Sequence, residues 1–289
     1  MRVAVVGANG QLGTDLVQVF ADGAEVYALN HTDVEIASLD SVTQSLNRFA
    51  PSIVVNTSAM HNVENCEADP EQAFAVNALG CRNLALVTRD LGALLVHIST
   101  DYVFDGGKRE PYVEEDTPLP LNVYGNSKLA GEGFVRSINP RHFVCRTSAL
   151  YGRSPCRAKG GRNFVELMIK LGRERGSVRV VDTEVVSPTS TLQLALQVKS
   201  LCDCTEYGLY HATSEGACSW YEFALEIFAQ SNLDVNVQRA DPNEFPAKVP
   251  RPKYSVLENR RLKRCGVNKF TRWEDSLREY LAQSCALVS

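Results

Sequence analysis

Near its amino end the chain reads Gly7-Ala8-Asn9-Gly10-Gln11-Leu12-Gly13. This stretch follows an apolar, β-branched run, Arg2–Val6, and opens an amphipathic one, Gln11–Phe20. A glycine-rich turn between a first strand and a first helix is the context of a dinucleotide fingerprint, and few folds supply it. Each glycine has a task. Gly7 permits the tight turn, Gly10 lets backbone amides approach a pyrophosphate, and Gly13 lets the helix pack closely on the strand. The phosphate then sits at the positive end of the helix. The spacing here is G-x-x-G-x-x-G rather than the commoner G-x-G-x-x-G. Gly7, Asn9, Gly10, Gln11, Leu12 and Gly13 are the residues expected at this cradle.

The alternation continues beyond the loop. Glu25–Leu29, Ser52–Asn56, Leu94–Ser99 and His142–Arg146 read as strands. Leu39–Phe49, Pro70–Leu91 and the stretch around Val123–Ser137 read as helices, the second with proline in its first turn. Strands alternating with helices predict an α/β fold: a doubly wound parallel sheet of Rossmann type, covered on both faces. After residue 150 the pattern loosens. Residues 153–163 are rich in basic residues and glycine and read as a surface loop. Residues 240–255 carry four prolines and should be extended. A last helix is predicted near Trp273–Gln283.

Composition excludes several classes. The formal net charge is −4 and no basic tract exists to follow a phosphate backbone, so nucleic acid is not an expected partner. No run approaches the roughly 20 apolar residues needed to cross a bilayer. The amino-terminal apolar run is too short for a secretory signal, so a soluble, cytoplasmic protein is expected. The nine cysteines form no C-x-x-C pair, which favours free thiols over zinc.

Tyr124-Gly125-Asn126-Ser127-Lys128 places a tyrosine and a lysine on one helical face. A phenol with a pKa near 10 is a weak acid at neutral pH, and a nearby ammonium lowers that value. The pair reads as a proton donor beside a hydride source, with the lysine also holding the nicotinamide ribose. The segment His97–Gly106 begins as a strand and ends in a polar loop. Thr100 is placed at the carboxyl end of that strand, where open α/β sheets bind ligands. Its hydroxyl can bond a substrate carbonyl and steer it to Tyr124. After the second strand Asn30 is neutral, with Asp33 and Glu35 as the nearest acids and no arginine close by. That composition tolerates NADPH, the favoured cofactor, and leaves NADH open.

Together these segments resemble the extended short-chain dehydrogenases, and more narrowly the dTDP-4-dehydrorhamnose reductase family. The likeness spans nearly the whole chain. It rests on the glycine loop, on STDYVFDG at 99–106, on PLNVYGNSK at 120–128, on Arg146-Thr147-Ser148, and on Pro250-Arg251-Pro252-Lys253-Tyr254-Ser255. The resemblance implies reduction of the C4 ketone of dTDP-4-dehydro-L-rhamnose by NAD(P)H, with a nucleotide-sugar substrate. It implies catalytic roles for Thr100, Tyr124 and Lys128, and adenosine-side contacts from Asn30, Glu35 and Ile36. It implies nicotinamide-side contacts from Ser58, Ala59 and Met60, and substrate contacts from Thr100 and Asp101, with Asn163 and Arg251 chosen for the nucleotide. It further implies a Rossmann domain over 1–150 with a return segment near 185–212, and a smaller substrate-binding domain over 151–289. A homodimer is compatible with it. Ala149 stands where the family often has tryptophan, which leaves the hexose open. Some relatives hold magnesium at a dimer interface; Asp15 and Glu184 lie near those positions but read as surface charges, and no metal is expected. Two other readings share the fold. One is a different sugar-nucleotide reductase or epimerase. The other is a non-catalytic subunit like the regulator of S-adenosylmethionine synthetase.

Overall fold

The computed structural model describes residues 1–155, 161–241, 244 and 247–285, without the side chains of 284 and 285. The core of the basic loop, 156–160, and two of the four prolines, at 242 and 246, lie outside the described residues. The first half runs β1 (Arg2–Val6), α1 (Gln11–Ala21), β2 (Glu25–Leu29), α2 (Leu39–Phe49), β3 (Ile53–Asn56), α3 (Val63–Ala68), α4 (Pro70–Phe74), a π turn (Ala75–Leu79), α5 (Gly80–Asp90), β4 (Leu94–Thr100), α6 (Val123–Ile138) and β5 (His142–Thr147). The second half runs β6 (Leu150–Tyr151), α7 (Phe164–Arg175), β7 (Ser177–Val180), β8 (Val185–Val186), β9 (Thr189–Ser190), α8 (Thr191–Leu201), β10 (Gly208–His211), β11 (Cys218–Ser219), α9 (Trp220–Gln230), β12 (Asn236–Arg239), α10 (Arg260–Arg264) and α11 (Trp273–Cys285).

Six strands form one parallel sheet in the order β10-β5-β4-β3-β1-β2. Its inner strands are buried on both faces, which is why they read as near-continuous apolar runs. Alternate residues divide between the faces. Val3 and Val5 join Leu12, Leu16 and Phe20 of α1 and Leu194 and Val198 of α8. Ala4 and Val6 join Val42 and Leu46 of α2, Leu84 of α5 and Val135 of α6. A third core gathers Tyr151, Val165, Phe223, Phe228, Trp273 and Leu277, from β6, α7, α9 and α11. The return of α8 onto α1 and of β10 beside β5 was not visible as a strand in the sequence pattern, because β10 has only four residues.

The helix predicted over Pro70–Leu91 is interrupted by the π turn. Asn77 within it is fully buried; its amide accepts from Met60 N at 2.9 Å and donates to Met60 O at 2.9 Å and to Ser127 Oγ at 3.0 Å. The turn also brings the Asn77 carbonyl against α6 at Gly131, where a Cβ would lie 2.2 Å from that oxygen. A regular helix would forgo these contacts, and π turns inside helices recur where packing asks for such a bulge.

Tyr124, Lys128 and Glu132 lie at successive turns of α6 and so form one stripe. Glu132 anchors it. Arg146 of β5 grips its carboxylate with two bonds, of 2.9 and 2.7 Å, and Ser99 of β4 adds a third at 2.6 Å. Both charged side chains are 1% exposed. Removing one partner of such a pair leaves an uncompensated buried charge. Arg146→Met should therefore cost about 3–5 kcal/mol of unfolding free energy. The double variant Arg146→Met/Glu132→Leu should recover much of it. Urea denaturation of both variants measures the difference.

Candidate active site

The chain leaves β1 for β2 on one side and then crosses to β3 on the other. At the carboxyl end of the sheet this reversal opens a crevice, the place where doubly wound sheets bind ligands. Gly7 lines it with φ of +82°, and a Cβ there would lie 2.7 Å from Thr57 Oγ1 and 2.9 Å from Ser58 N. At Gly13 a Cβ would lie 2.2 Å from the Gly7 carbonyl. Both glycines are demanded by the protein's own packing. Gly10 is different: its backbone is extended, with φ of −83°, and a Cβ would meet the Gly7 carbonyl at 3.4 Å and nothing else nearby. The fold does not require glycine at residue 10.

The first helical bond of α1 runs from Thr14 N to Gly10 O, so the amides of Gln11, Leu12 and Gly13 have no helical acceptor. Three donors at a positive helix end suit a diphosphate. The amides of Gly7 and Ala8 are taken by the Leu29 carbonyl, and Gly10 N by Gly7 O. The side chains expected at the cradle have other duties. Leu12 is buried in the core, and Gln11 donates to the Gly152 carbonyl at 3.0 Å. Asn9 is half-buried beside them.

Beyond β2, Asn30 N donates to Asp33 Oδ2 at 2.8 Å. Its own Oδ1 is buried with no partner among the described residues. That orphaned acceptor fits a ribose hydroxyl. Glu35, half-exposed beside His31, accepts from Ala37 N at 3.0 Å, and Ile36 packs its side chain under Gly80. After β3, Ser58, Ala59 and Met60 form a half-buried shelf, held by Asn56 and by the Asn77 bonds to Met60. His61 beside them is exposed.

Thr100 ends β4, and Tyr124 stands in the first turn of α6 beside it. Burial pushes the Tyr124 phenol well above its usual value, while the neighbouring Thr100 hydroxyl opposes this. Lys128 lies against β4, donating to the Ile98 carbonyl at 2.7 Å and lying 3.4 Å from His97 Nε2.

Several residues expected at the substrate are engaged in the fold. Asp101 is 4% exposed and accepts from Thr100 Oγ1 at 3.1 Å, Ser148 Oγ at 2.8 Å and Ser255 Oγ at 2.5 Å. It ties together the ends of β4 and β5 and the Pro250–Ser255 segment. Asn163 is a second correction. Its Oδ1 caps α7 by accepting from Glu166 N, and its Nδ2 donates to Gly152 O at 2.8 Å and Tyr280 Oη at 3.1 Å. Both amide hydrogens of that side chain are thus spent within the protein. Arg251 pairs with Glu64 at 2.5 Å, and its Nε is buried with no partner among the described residues. Asp15 and Glu184 are not surface charges either. Asp15 is 3% exposed and accepts from Thr191 Oγ1, and Glu184 accepts from Trp220 Nε1 at 3.1 Å. Among the described residues no three metal-ligating side chains converge, and no helix is long and apolar enough to cross a membrane.

Sequence reasoning missed His97, Asn56 and Cys81, which lie behind Lys128. A signal existed: His97 interrupts the otherwise apolar run of β4, and a polar residue inside a buried strand needs a partner.

The family model of the RmlD substrate binding domain matches residues 1–285. The Bacillus subtilis spore coat polysaccharide biosynthesis protein SpsK is 40% identical over 98% of this chain and 97% of its own length. The dTDP-4-dehydrorhamnose reductase of Sinorhizobium fredii is 35% identical over 96% of each chain. The crystal structure of dTDP-4-dehydrorhamnose reductase from Bacillus anthracis in complex with NADP superposes with a TM-score of 0.93 at 38% identity, covering 98% of this chain and 99% of that one.

The assignment of Asn163 to capping is testable. Asn163→Ala should lower unfolding free energy by about 1–2 kcal/mol, the worth of a lost cap. Nucleotide-sugar affinity measured by calorimetry should stay within twofold.

Proposed function

We infer the activity from one premise: the chain belongs to the family of the RmlD substrate binding domain. It is an oxidoreductase of that family. The reaction we propose is reduction of the C4 ketone of dTDP-4-dehydro-L-rhamnose to dTDP-L-rhamnose, with NADPH or NADH as the reductant. Residues 1–150, with a return segment near 185–212, hold the cofactor, and 151–289 mainly cover the nucleotide sugar.

Three observations support a dinucleotide in the crevice: a Gly10 that the fold itself does not require, three helix-end amides without acceptors, and the orphaned Oδ1 of Asn30. Gln11, Leu12 and Gly13 would hold the diphosphate, Asn30 and Glu35 the adenosine side, and Ser58, Ala59 and Met60 the nicotinamide side. When bound, the cofactor supplies a hydride to the carbonyl carbon. The protein's task is the proton. Tyr124 carries it, and the observation that supports this role most is its place beside Thr100 at the carboxyl end of β4. A substrate carbonyl oxygen placed between the two hydroxyls accepts from the phenol, and the phenol proton passes to the new alkoxide. Burial keeps the phenol protonated, because its pKa lies above the usual value. Turnover should therefore not fall through loss of this proton until the pH exceeds about 10, the ordinary phenol value.

The decisive experiment mixes the protein with NADPH and dTDP-4-dehydro-L-rhamnose and follows loss of the reduced nicotinamide absorbance. Tyr124→Phe should cut kcat by roughly 10²–10⁴-fold, the worth of general acid catalysis. Release of an epimerised sugar without net oxidation of NADPH would overturn the reading. Gly10→Ala separates fold from function. It should weaken dinucleotide binding at least about tenfold, or 1.4 kcal/mol, while leaving the melting temperature unchanged. Gly13→Ala should instead lower the melting temperature, because it clashes with backbone.

A further inference from the structure

Lys128 is fully buried with a chain of polar groups behind it. The chain starts at Ser58, whose backbone amide donates to Asn56 Oδ1 at 3.1 Å and whose hydroxyl donates to the same oxygen at 2.5 Å. A backbone N–H can only donate, so the oxygen of the Asn56 amide must face Ser58. Its nitrogen then faces His97 Nδ1, 3.2 Å away, as a donor. That fixes the imidazole: Nδ1 accepts, and the ring proton sits on Nε2. Nε2 lies 3.4 Å from Lys128 Nζ. An N–H aimed at that distance requires a lone pair on the lysine nitrogen, and an ammonium has none. The opposite tautomer only moves the conflict, setting two donors against each other between Asn56 and His97. Cys81 does not relieve it. Its sulfur is 3.7 Å from both ring nitrogens, so it lies in line with neither N–H, and its thiol is directed to the Asn77 carbonyl at 3.0 Å.

We propose that Lys128 is a neutral amine in the free protein, held so by His97 as a positioning residue, and that it becomes an ammonium by taking one proton from solvent when the dinucleotide binds. The inference rests on the dinucleotide reading of the crevice. The groups around Lys128 agree with it. Cys81 of α5 is an uncharged thiol, because burial pushes it up to about 11. His97 of β4 is uncharged, since burial holds it well below its usual value. On α6 itself, Tyr124 is protonated, and the charge of Glu132 is matched by Arg146. Burial also holds Lys128 below the usual lysine range, despite the opposing pull of Glu132. The ribose hydroxyls and diphosphate of a bound dinucleotide bring acceptors and negative charge, which favour the ammonium. Lys128 then stabilises the phenolate that Tyr124 becomes after giving its proton away. The proton on Lys128 enters with the reduced cofactor and leaves with the oxidised one, and a second proton from solvent restores the Tyr124 phenol in each turnover.

The sign follows from linkage. Between the free and the bound pKa of Lys128 the complex holds one more proton than the free protein, so affinity falls as pH rises, by up to about tenfold per unit. Two experiments test this. In wild-type protein labelled with carbon-13 and nitrogen-15 in lysine and histidine, the Lys128 signal is identified by its loss in Lys128→Met. At pH 8 it should appear at the neutral-amine position, with His97 protonated on Nε2. An ammonium signal, or a proton on Nδ1, overturns the proposal. Calorimetry of NADH binding at pH 8, in buffers of differing ionisation enthalpy, should show uptake approaching one proton per site in wild type and none in Lys128→Met. NADH is chosen because it lacks a 2′-phosphate that could itself titrate. Binding without uptake, or equal uptake in Lys128→Met, overturns it. Absence of any dinucleotide binding would instead sink the functional reading, while the spectra of the free protein would still decide the state of Lys128.

Discussion

The site depends on how α6 is seated on the sheet. Tyr124, Lys128 and Glu132 share one stripe, and each meets a different part of β4. Tyr124 reaches Thr100, Lys128 reaches the Ile98 carbonyl, and Glu132 reaches Ser99 and, beyond it, Arg146 of β5. A buried, two-bond ion pair tolerates little sliding, because any shift leaves a charge without its partner. It therefore sets the register of the helix, and the register sets where the phenol stands. The π turn before α5 supports the same helix from its other side, since the Asn77 carbonyl occupies the space that Gly131 leaves open.

The crevice combines two kinds of glycine. Gly7 and Gly13 are required by neighbouring protein atoms, and their loss would be felt in stability. Gly10 is free of such neighbours, and its lack of a side chain benefits something that approaches from outside. The polar groups divide in the same manner. Every polar side-chain atom of Asp101 and Asn163 is engaged by the fold. Asn30 Oδ1 and Arg251 Nε are buried and unpaired among the described residues. An unfilled buried polar atom costs stability, so it points to a ligand more strongly than a filled one does.

Much was legible in the chain itself. Parallel strands buried on both faces need continuous apolar runs, and those runs, with glycines placed between strand and helix, announced the sheet and its crevice. The spacing of Tyr124 and Lys128 announced a shared face. The third core was far less legible, because its strands β7, β11 and β12 are two to four residues long and its helices pack on one another across distant stretches of chain. The π turn was equally hidden, since its cause is a contact between Asn77 and residues 17 and 50 positions away.

The sequence by itself determined the parallel α/β sheet, the position of the glycine cradle, and the residue types able to move a proton beside a hydride. Local periodicity and turn chemistry suffice for those. Tertiary structure decided what each polar side chain does. Asn163 caps a helix, Asp101 gathers three hydroxyls, and Lys128 donates to the Ile98 carbonyl beside His97. Such assignments depend on which donor meets which acceptor in a space without water. That pairing exists only once strands from opposite ends of the chain lie side by side.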